Sequence, residues 1–357
     1  MIKVSGFFPF RKAKEEYEYD GVKVKKISTI ILPPFKKNPL LTKYFIRYSN
    51  DKLKEELEWA DFIHIGSSYP VGILAQELMI KSKIKKPIVA DVIGSDALIY
   101  LSNIYNKNKV WVKEYLKNYD LFFCASNFLK NVMISFGVEE GKLVVAYKGI
   151  NSEIFKPTNI EKNINKVRFL YLGGFEGDSL FYPFNLRMKG GDILLDAWEI
   201  FEKSDPNAIL ILAGLNVNGK KIKKFLSRLK YPSKIEIKSE YAVDPSVMPS
   251  LYNDADFLVV PSISEGLPNV VLEAQSCGIP VITTDAGGIP EAVDCGASGI
   301  VVKAGSVEEI VRGFNWAMEN INNYQLFSNR AREFVLNKFS WENYSLSVIK
   351  AINRILK

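Results

Sequence analysis

Two glutamates, Glu265 and Glu273, flank the start of a predicted helix in the run Ser262-Ile263-Ser264-Glu265-Gly266-Leu267-Pro268-Asn269-Val270-Val271-Leu272-Glu273-Ala274. Phe257-Leu258-Val259-Val260 reads as a buried strand that Pro261-Ser262 ends. Gly266 and Pro268 shape a turn, and from Asn269 the spacing of Val270, Val271, Leu272 and Ala274 predicts a helix packed on a sheet. In an open parallel sheet, ligands collect at this end of the strands, where free N–H groups and the positive end of the helix dipole attract phosphate. Glu265 falls in the loop, and Glu273 lies one turn into the helix, on the same crevice. A carboxylate beside an anion site would repel phosphate, so the expected partners of this pair are the hydroxyls of a sugar or ribose. The plainer alternative makes Glu265 a helix cap and Glu273 an exposed helix residue.

A basic group is expected on a neighbouring strand end. After Phe169-Leu170-Tyr171-Leu172 come Gly173-Gly174, a long loop, and Arg187-Met188-Lys189-Gly190-Gly191 opening the helix from Asp192 to Trp198. Glycines at a strand end let backbone approach a ligand, and Lys and Arg supply charge to a diphosphate. A leaving nucleotide gathers negative charge as a glycosidic bond breaks, so fixed cations there lower the barrier more than they tighten ground-state binding. Lys-Gly-Gly is weak on its own and gains weight beside the Glu265 segment.

The elements that must carry these residues alternate between strand and helix almost throughout. Predicted strands are Ile2–Ser5, Val22–Ile27, Asp61–Ile65, Pro87–Val92, Leu121–Cys124 and Leu143–Ala146, then Arg168–Leu172, Ile209–Ala213, Ile235–Lys238, Phe257–Val260, Val281–Thr283 and Gly299–Val302. The pattern predicts an α/β protein of two doubly wound parallel sheets with helices on both faces. A chain of 357 residues suits two domains. Residues 1–150 form the first, the polar stretch 151–166 around Pro157 is the linker, and 167–340 form the second. Ligand is expected in the crevice between them.

With 47% hydrophobic and 24% charged residues the composition is globular, and no stretch is long and apolar enough for a membrane span. No signal peptide is read, and Cys124, Cys277 and Cys295 fit neither a zinc nor a disulfide spacing, so a cytoplasmic protein with reduced thiols is expected. The net charge of +7 is lopsided: residues 1–150 hold 24 Lys and Arg against 16 Asp and Glu, the remainder 23 against 24. A solvated lysine-rich surface is the favoured explanation. Attraction of the first half to an anionic membrane surface, such as the inner face of the membrane, or to an acidic acceptor is the functional one. No zinc finger, helix-turn-helix or RNA-binding aromatic signature accompanies the charge, and no nucleic-acid partner is expected.

The Glu265–Glu273 segment resembles the E-x7-E signature of the GT4 family (group 1) of retaining glycosyltransferases. The resemblance extends through Gly278-Ile279-Pro280-Val281 and Gly287-Gly288-Ile289-Pro290-Glu291. Upstream it takes in Ala125-Ser126-Asn127, Phe136-Gly137-Val138, Lys148-Gly149-Ile150-Asn151 and Phe155-Lys156-Pro157. Phe339-Ser340-Trp341 is similar to the start of the family's terminal helix, which implies that residues 341–357 pack back on the first domain. The resemblance implies a GT-B-like fold of two facing Rossmann-like domains. It also implies transfer of a hexosyl or related sugar from a nucleotide-diphosphate donor, with retention, to a glycan, lipid-linked or small-molecule acceptor. On the matching positions, Lys189 would stabilise the leaving phosphates, Glu265 would hold the donor sugar and Glu273 the ribose. Gly173, Gly174 and the segment Gly266, Leu267, Pro268 and Asn269 would line the donor. No protein nucleophile, cofactor or metal is implied.

The sequence departs from the family pattern in three places. Gly174 stands where the family usually has Arg, and Arg187 is the expected substitute. Ile93 replaces a frequent His before Gly94-Ser95-Asp96, leaving Ser95 and Asp96 as acceptor-side candidates. Gly6-Phe7-Phe8-Pro9 lacks the usual Gly-Gly, which leaves acceptor handling at Gly6 open. The one histidine, His64, is expected to be structural. Asp254-Ala255-Asp256 looks like a metal-binding DxD and is better explained as a helix end. Phe175, Phe181, Tyr182 and Phe184 could stack on a sugar or pack their own loop. Three further functions stay open at this level: a glycosidase with Glu265 and Glu273 as acid and nucleophile, a weakened donor-binding or partner subunit, and a basic nucleic-acid binder.

Overall fold

Short runs of β-branched, Leu and aromatic residues broken by Gly, Pro and Asn form the strands, and amphipathic stretches between them form the helices. The computed structural model describes residues 2–5, 16–19, 22–28, 57–69, 71–158, 162–163, 166–175, 186–205, 207–238 and 247–357. Gly6 and the loop residues Phe181, Tyr182 and Phe184 lie outside the described residues.

The strands of the N-terminal part are β1 (Ile2–Ser5), β2 (Glu16–Tyr19), β3 (Val22–Ser28), β4 (Ile63–Ile65), β5 (Ile88–Val92), β6 (Leu121–Cys124) and β7 (Leu143–Val145). They form a four-stranded parallel sheet of order β4-β5-β6-β7 and a three-stranded sheet of order β1-β3-β2. In the smaller sheet β2 runs antiparallel to β3. The strand β2 and this division are additions to the expected single parallel sheet. The alternating charges of Glu16-Tyr17-Glu18-Tyr19 gave it no apolar run to be recognised by. The last part of the chain carries β8 (Arg168–Leu172), β9 (Ile209–Ala213), β10 (Ile235–Lys238), β11 (Phe257–Val260), β12 (Val281–Thr284) and β13 (Gly299–Val302). These make one parallel sheet of order β10-β9-β8-β11-β12-β13. Chain direction along the sheet reverses between β8 and β11, and in sheets of this type the crevice outside that switch point is where ligands bind. The loops leaving those two strands carry Gly173-Gly174 and Glu265.

Alternation along the strands divides the core of this second sheet. Phe169, Phe257, Leu210 and Leu212 face one layer with Trp198, Phe201 and Phe314, while Leu170, Leu258 and Ile211 face the other with Leu251, Tyr252 and Val271. The main helices are α1 (Val71–Ser82), α2 (Ser102–Tyr105), α3 (Lys109–Lys117), α4 (Asn127–Ser135), α5 (Gly191–Phe201), α6 (Lys220–Leu226), α7 (Met248–Asn253), α8 (Asn269–Ser276), α9 (Val307–Asn320), α10 (Tyr324–Lys338) and α11 (Trp341–Ile355). No helix among the described residues is long and apolar enough to cross a membrane. The terminal α11 lays Tyr344, Val348, Ala351, Ile352 and Ile355 on Val89, Leu121 and Phe123 of the four-stranded sheet. The chain therefore crosses between the two units twice, and the crossings touch: Ile150 N–H donates to Phe339 O at 2.9 Å.

Phe169 anchors the strand that leads into Gly173, in ring contact with Trp198, Phe201, Phe257 and Phe314. Phe169→Ala is expected to cost about 3–5 kcal/mol of unfolding free energy, read as a lowered urea midpoint with an unchanged slope.

Candidate functional site

All strands of a parallel sheet end on one edge, so the loops after β8, β11 and β12 converge. The Glu265 loop is tied to its neighbours before any side chain acts. Ile263 N–H donates to Met188 O at 2.8 Å, and the Thr284 hydroxyl at the end of β12 donates to Ser262 O. Met188 belongs to the tight turn Leu186–Lys189 that enters α5 through Gly190. Gly190 has φ of 71°, and a Cβ there would fall 1.8 Å from Pro261 O. Only glycine satisfies both the left-handed backbone and that approach. The Lys-Gly-Gly sequence is thus what brings the Lys189 turn against the β11 loop.

The consequence is a cation on a carboxylate. Lys189 Nζ donates to Glu265 Oε1, which also receives the Ser262 hydroxyl at 3.4 Å. Glu265 is largely buried and Lys189 about half exposed, so the pair presents its positive member outward. Glu265 does not cap α8, whose N-cap position is Pro268 and has no side-chain cap bond. Arg187 lies exposed on the same turn as Lys189. Gly173 and Gly174 tuck beneath: the Tyr171 hydroxyl donates to Gly174 O at 2.8 Å, and Phe175 N–H donates to Leu215 O at 2.9 Å. Phe175 is a core residue, 1% exposed against Tyr171, so it does not take part in stacking on a sugar.

Glu273 sits one turn into α8, largely buried, where its Oε2 accepts the Tyr252 hydroxyl at 2.6 Å. Burial raises its carboxyl above the ordinary range, and the Tyr252 bond offsets part of that rise. The Tyr252 hydroxyl is itself pushed well above its ordinary value, by burial and then by the nearby Glu273 charge. Glu273 is therefore neither exposed nor incidental. Sequence gave no sign of Tyr252, which reads as one more apolar position of a short helix.

Across the crevice, the loops leaving β5 and β6 meet the Glu265 loop. A Cβ at Gly266 would lie 2.9 Å from both Gly94 Cα and Ile93 O, so the two backbones pack with no room for a side chain between them. The buried Ser126 hydroxyl donates to Gly266 O at 2.9 Å. Leu267 packs into the cores of both units, Pro268 is buried, and Asn269 is exposed at the first turn of α8. Asp96 is wholly buried, and its carboxylate accepts Ser68 N–H, Ser68 Oγ–H, Ile93 N–H and Gly94 N–H at 2.7 to 3.2 Å. Its place among the acceptor-side candidates becomes a structural one: it fixes the Ile93-Gly94 turn. Ser95 beside it is half-buried.

The remaining candidates stand away from this group. His64 Nε2 bonds Asp91 Oδ1 at 2.9 Å, with Phe123 at its ring. Asp254 pairs with Arg168 at 2.8 Å, and Asp256 accepts Arg168 N–H at the same distance. Both aspartates lie where β11 begins, at the opposite edge of the sheet from Glu265.

The architecture matches known proteins. Residues 178–334 match the model for glycosyl transferases group 1, and residues 2–154 match that for glycosyltransferase family 4. An uncharacterized glycosyltransferase of Methanocaldococcus jannaschii is 30% identical over 344 residues, covering 96% of this chain and 87% of the relative. This chain belongs to the group 1, family 4 glycosyltransferases. A D-inositol 3-phosphate glycosyltransferase of Paenarthrobacter aurescens is 30% identical over 174 residues, 47% of this chain and 41% of that one. Among solved structures, the glycosyltransferase superposes on Anabaena HepE in complex with UDP-glucose with TM-score 0.70, at 16% identity over 92% of this chain and 86% of the other. Sucrose-phosphate synthase from Thermosynechococcus elongatus gives 0.74, at 17% identity over 96% and 86%. The fold is GT-B-like.

Because Glu273 stays protonated to higher pH in the folded chain than in the unfolded one, its burial costs stability as pH rises. The loss begins in the ordinary carboxylate range and is complete above the raised value. Glu273→Gln is expected to flatten that part of the decline, read as urea midpoints between about pH 4 and pH 7. An unchanged slope would show that the carboxyl is not perturbed.

Proposed function

We propose that this glycosyltransferase moves a hexosyl or related sugar from a nucleotide-diphosphate donor to a glycan, lipid-linked or small-molecule acceptor, with retention at the anomeric carbon and no metal. The observation that carries the reading is the Lys189–Glu265 pair at the switch point of the second sheet, with Glu273 on the adjoining helix. HepE, a fold neighbour, was solved with UDP-glucose, which supports a nucleotide-sugar donor here.

The roles divide by electrostatics. Lys189, outermost of the pair, meets the diphosphate and balances the charge that builds on the leaving group, with Arg187 beside it on the same turn. Glu265, neutralised by Lys189, no longer repels that diphosphate and offers its free carboxylate oxygen to the donor sugar. The half-exposed α8 start supplies backbone N–H groups around Asn269. Glu273 takes the ribose hydroxyls, for which a buried carboxylate with one oxygen on Tyr252 leaves the other as acceptor. Retention needs attack on the face the nucleotide leaves, and the leaving phosphate serves as the base that deprotonates the acceptor. The basic balance of residues 1–150 supports an acceptor presented at an anionic membrane surface.

Binding should appear in a thermal-shift screen of UDP-, GDP- and ADP-sugars, and the shift should vanish in Glu273→Ala. Lys189→Ala should lower kcat by roughly a hundred- to a thousandfold, with a smaller change in donor affinity. NMR of the first product formed should show the anomeric configuration of the donor. An inverted product would remove the retaining mechanism while leaving donor binding intact. A wild-type protein that shifts with none of the three donor classes would remove the reading itself.

A further inference from the structure

Two motifs far apart in sequence, Ala125-Ser126-Asn127 and Gly287-Gly288-Ile289-Pro290-Glu291, have no part in the donor chemistry above, yet they meet. Helix α4 begins at Asn127, and its first turn exposes N–H groups that have no partner within the helix. Ser126 covers one, accepting Leu129 N–H at 3.2 Å. The next two are taken from across the crevice. Glu291 Oε2 accepts Asn127 N–H at 2.8 Å, and Glu291 Oε1 accepts Phe128 N–H at 2.8 Å. The same Oε2 accepts Asn127 Nδ2–H at 3.0 Å and the Tyr147 hydroxyl at 2.7 Å.

Glu291 is thus a helix cap supplied by the other unit. Burial would raise its carboxyl, but the bonds from Tyr147, Asn127 and Phe128 outweigh burial and hold it below the ordinary range, so it meets the positive end of α4 as an anion. Its backbone is pinned as well: Lys338 Nζ donates to Glu291 O at 2.7 Å and lies over the Tyr147 ring. The latch sits on the donor loop's own supports. Gly288 N–H donates to Glu265 O at 3.1 Å, Ser126 at the head of α4 holds Gly266 O, and Gly94 backs Gly266. Every bond Glu291 makes to α4 would pass to water if the units parted, so the latch can open without leaving a buried group unpaired.

Resting on the donor-binding function above, we propose that Glu291 is a positioning residue for sugar transfer: by latching α4 across the crevice it seats Gly266 against Gly94 and Ser126 and so orients Glu265.

The test compares the full-length chain with Glu291→Gln, Glu291→Ala and the control Glu140→Gln, which removes an exposed acid of the first unit bonded to Lys130. Initial rates with the UDP-, GDP- or ADP-sugar that the wild type binds, thermal denaturation and small-angle scattering are measured on each. Expected are a fall of about tenfold or more in kcat/KM for the donor in Glu291→Ala, a smaller fall in Glu291→Gln, and an increased radius of gyration, with the melting temperature little changed. The control should match the wild type. Unchanged kcat/KM and radius in both Glu291 variants would overturn the latch, as would a rate loss that merely follows a drop in melting temperature. If Glu291→Ala does not fold, Tyr147→Phe removes one of the four bonds and should show the same changes in smaller measure; no change there would equally overturn it. A wild type that binds no nucleotide sugar counts against the donor reading alone, and the scattering comparison still decides the latch.

Discussion

The loop that carries Glu265 is held by main chain against main chain, and the rest of the site depends on that contact. Gly266 rests on Gly94 at a spacing that leaves no room for a Cβ, and its carbonyl takes the Ser126 hydroxyl. Such an approach fixes a loop far more tightly than side-chain packing, because backbone has no rotamers to relax into. It also ties the position of a second-unit carboxylate to the first unit. Asp96, which spends its whole carboxylate on Ser68 and the Ile93-Gly94 turn, is the foundation of that support.

Among the described residues, three glutamates around this frame each have a side-chain partner. Glu265 is neutralised by Lys189, Glu273 is held by Tyr252 and raised by burial, and Glu291 is consumed by the first turn of α4. Lys189 and Arg187, on the turn before α5, are the members of this group that reach outward. The raised Glu273 costs folding free energy at neutral pH, in keeping with the ribose-binding role proposed for it.

Much of this was legible in the sequence, and the reasons are local. Strand and helix patterns placed β8 to β13 within a residue of where they lie, and α8 begins at Asn269 as its spacing predicts. That the Lys189 turn lies beside the Glu265 segment followed from two strand ends being neighbours, while the ion pair between the two side chains is visible only in the structure. Most of the residues that escaped are those whose partners come from afar. Tyr252 looked like a core position, β2 had no apolar run, Phe175 looked like a loop aromatic, and Asp96 looked available. The partners of Tyr252, Asp96 and Phe175 are Glu273, Ser68 and Leu215, far enough along the chain that sequence spacing offers no signal, whereas β2 pairs with the adjoining β3. Gly287 to Glu291 stood out as a motif, but nothing in the order of residues named α4 as what it touches.

The central claim is that one donor is gripped at both its charged and its sugar ends by Lys189, Glu265 and Glu273. A crystal structure of the protein with its nucleotide-sugar donor tests this directly. The account predicts diphosphate oxygens within about 3 Å of Lys189 Nζ and ribose hydroxyls at the same distance from Glu273, with the sugar against Glu265. A donor bound away from the β8–β11 switch point, or one whose ribose leaves Glu273 untouched, would contradict it.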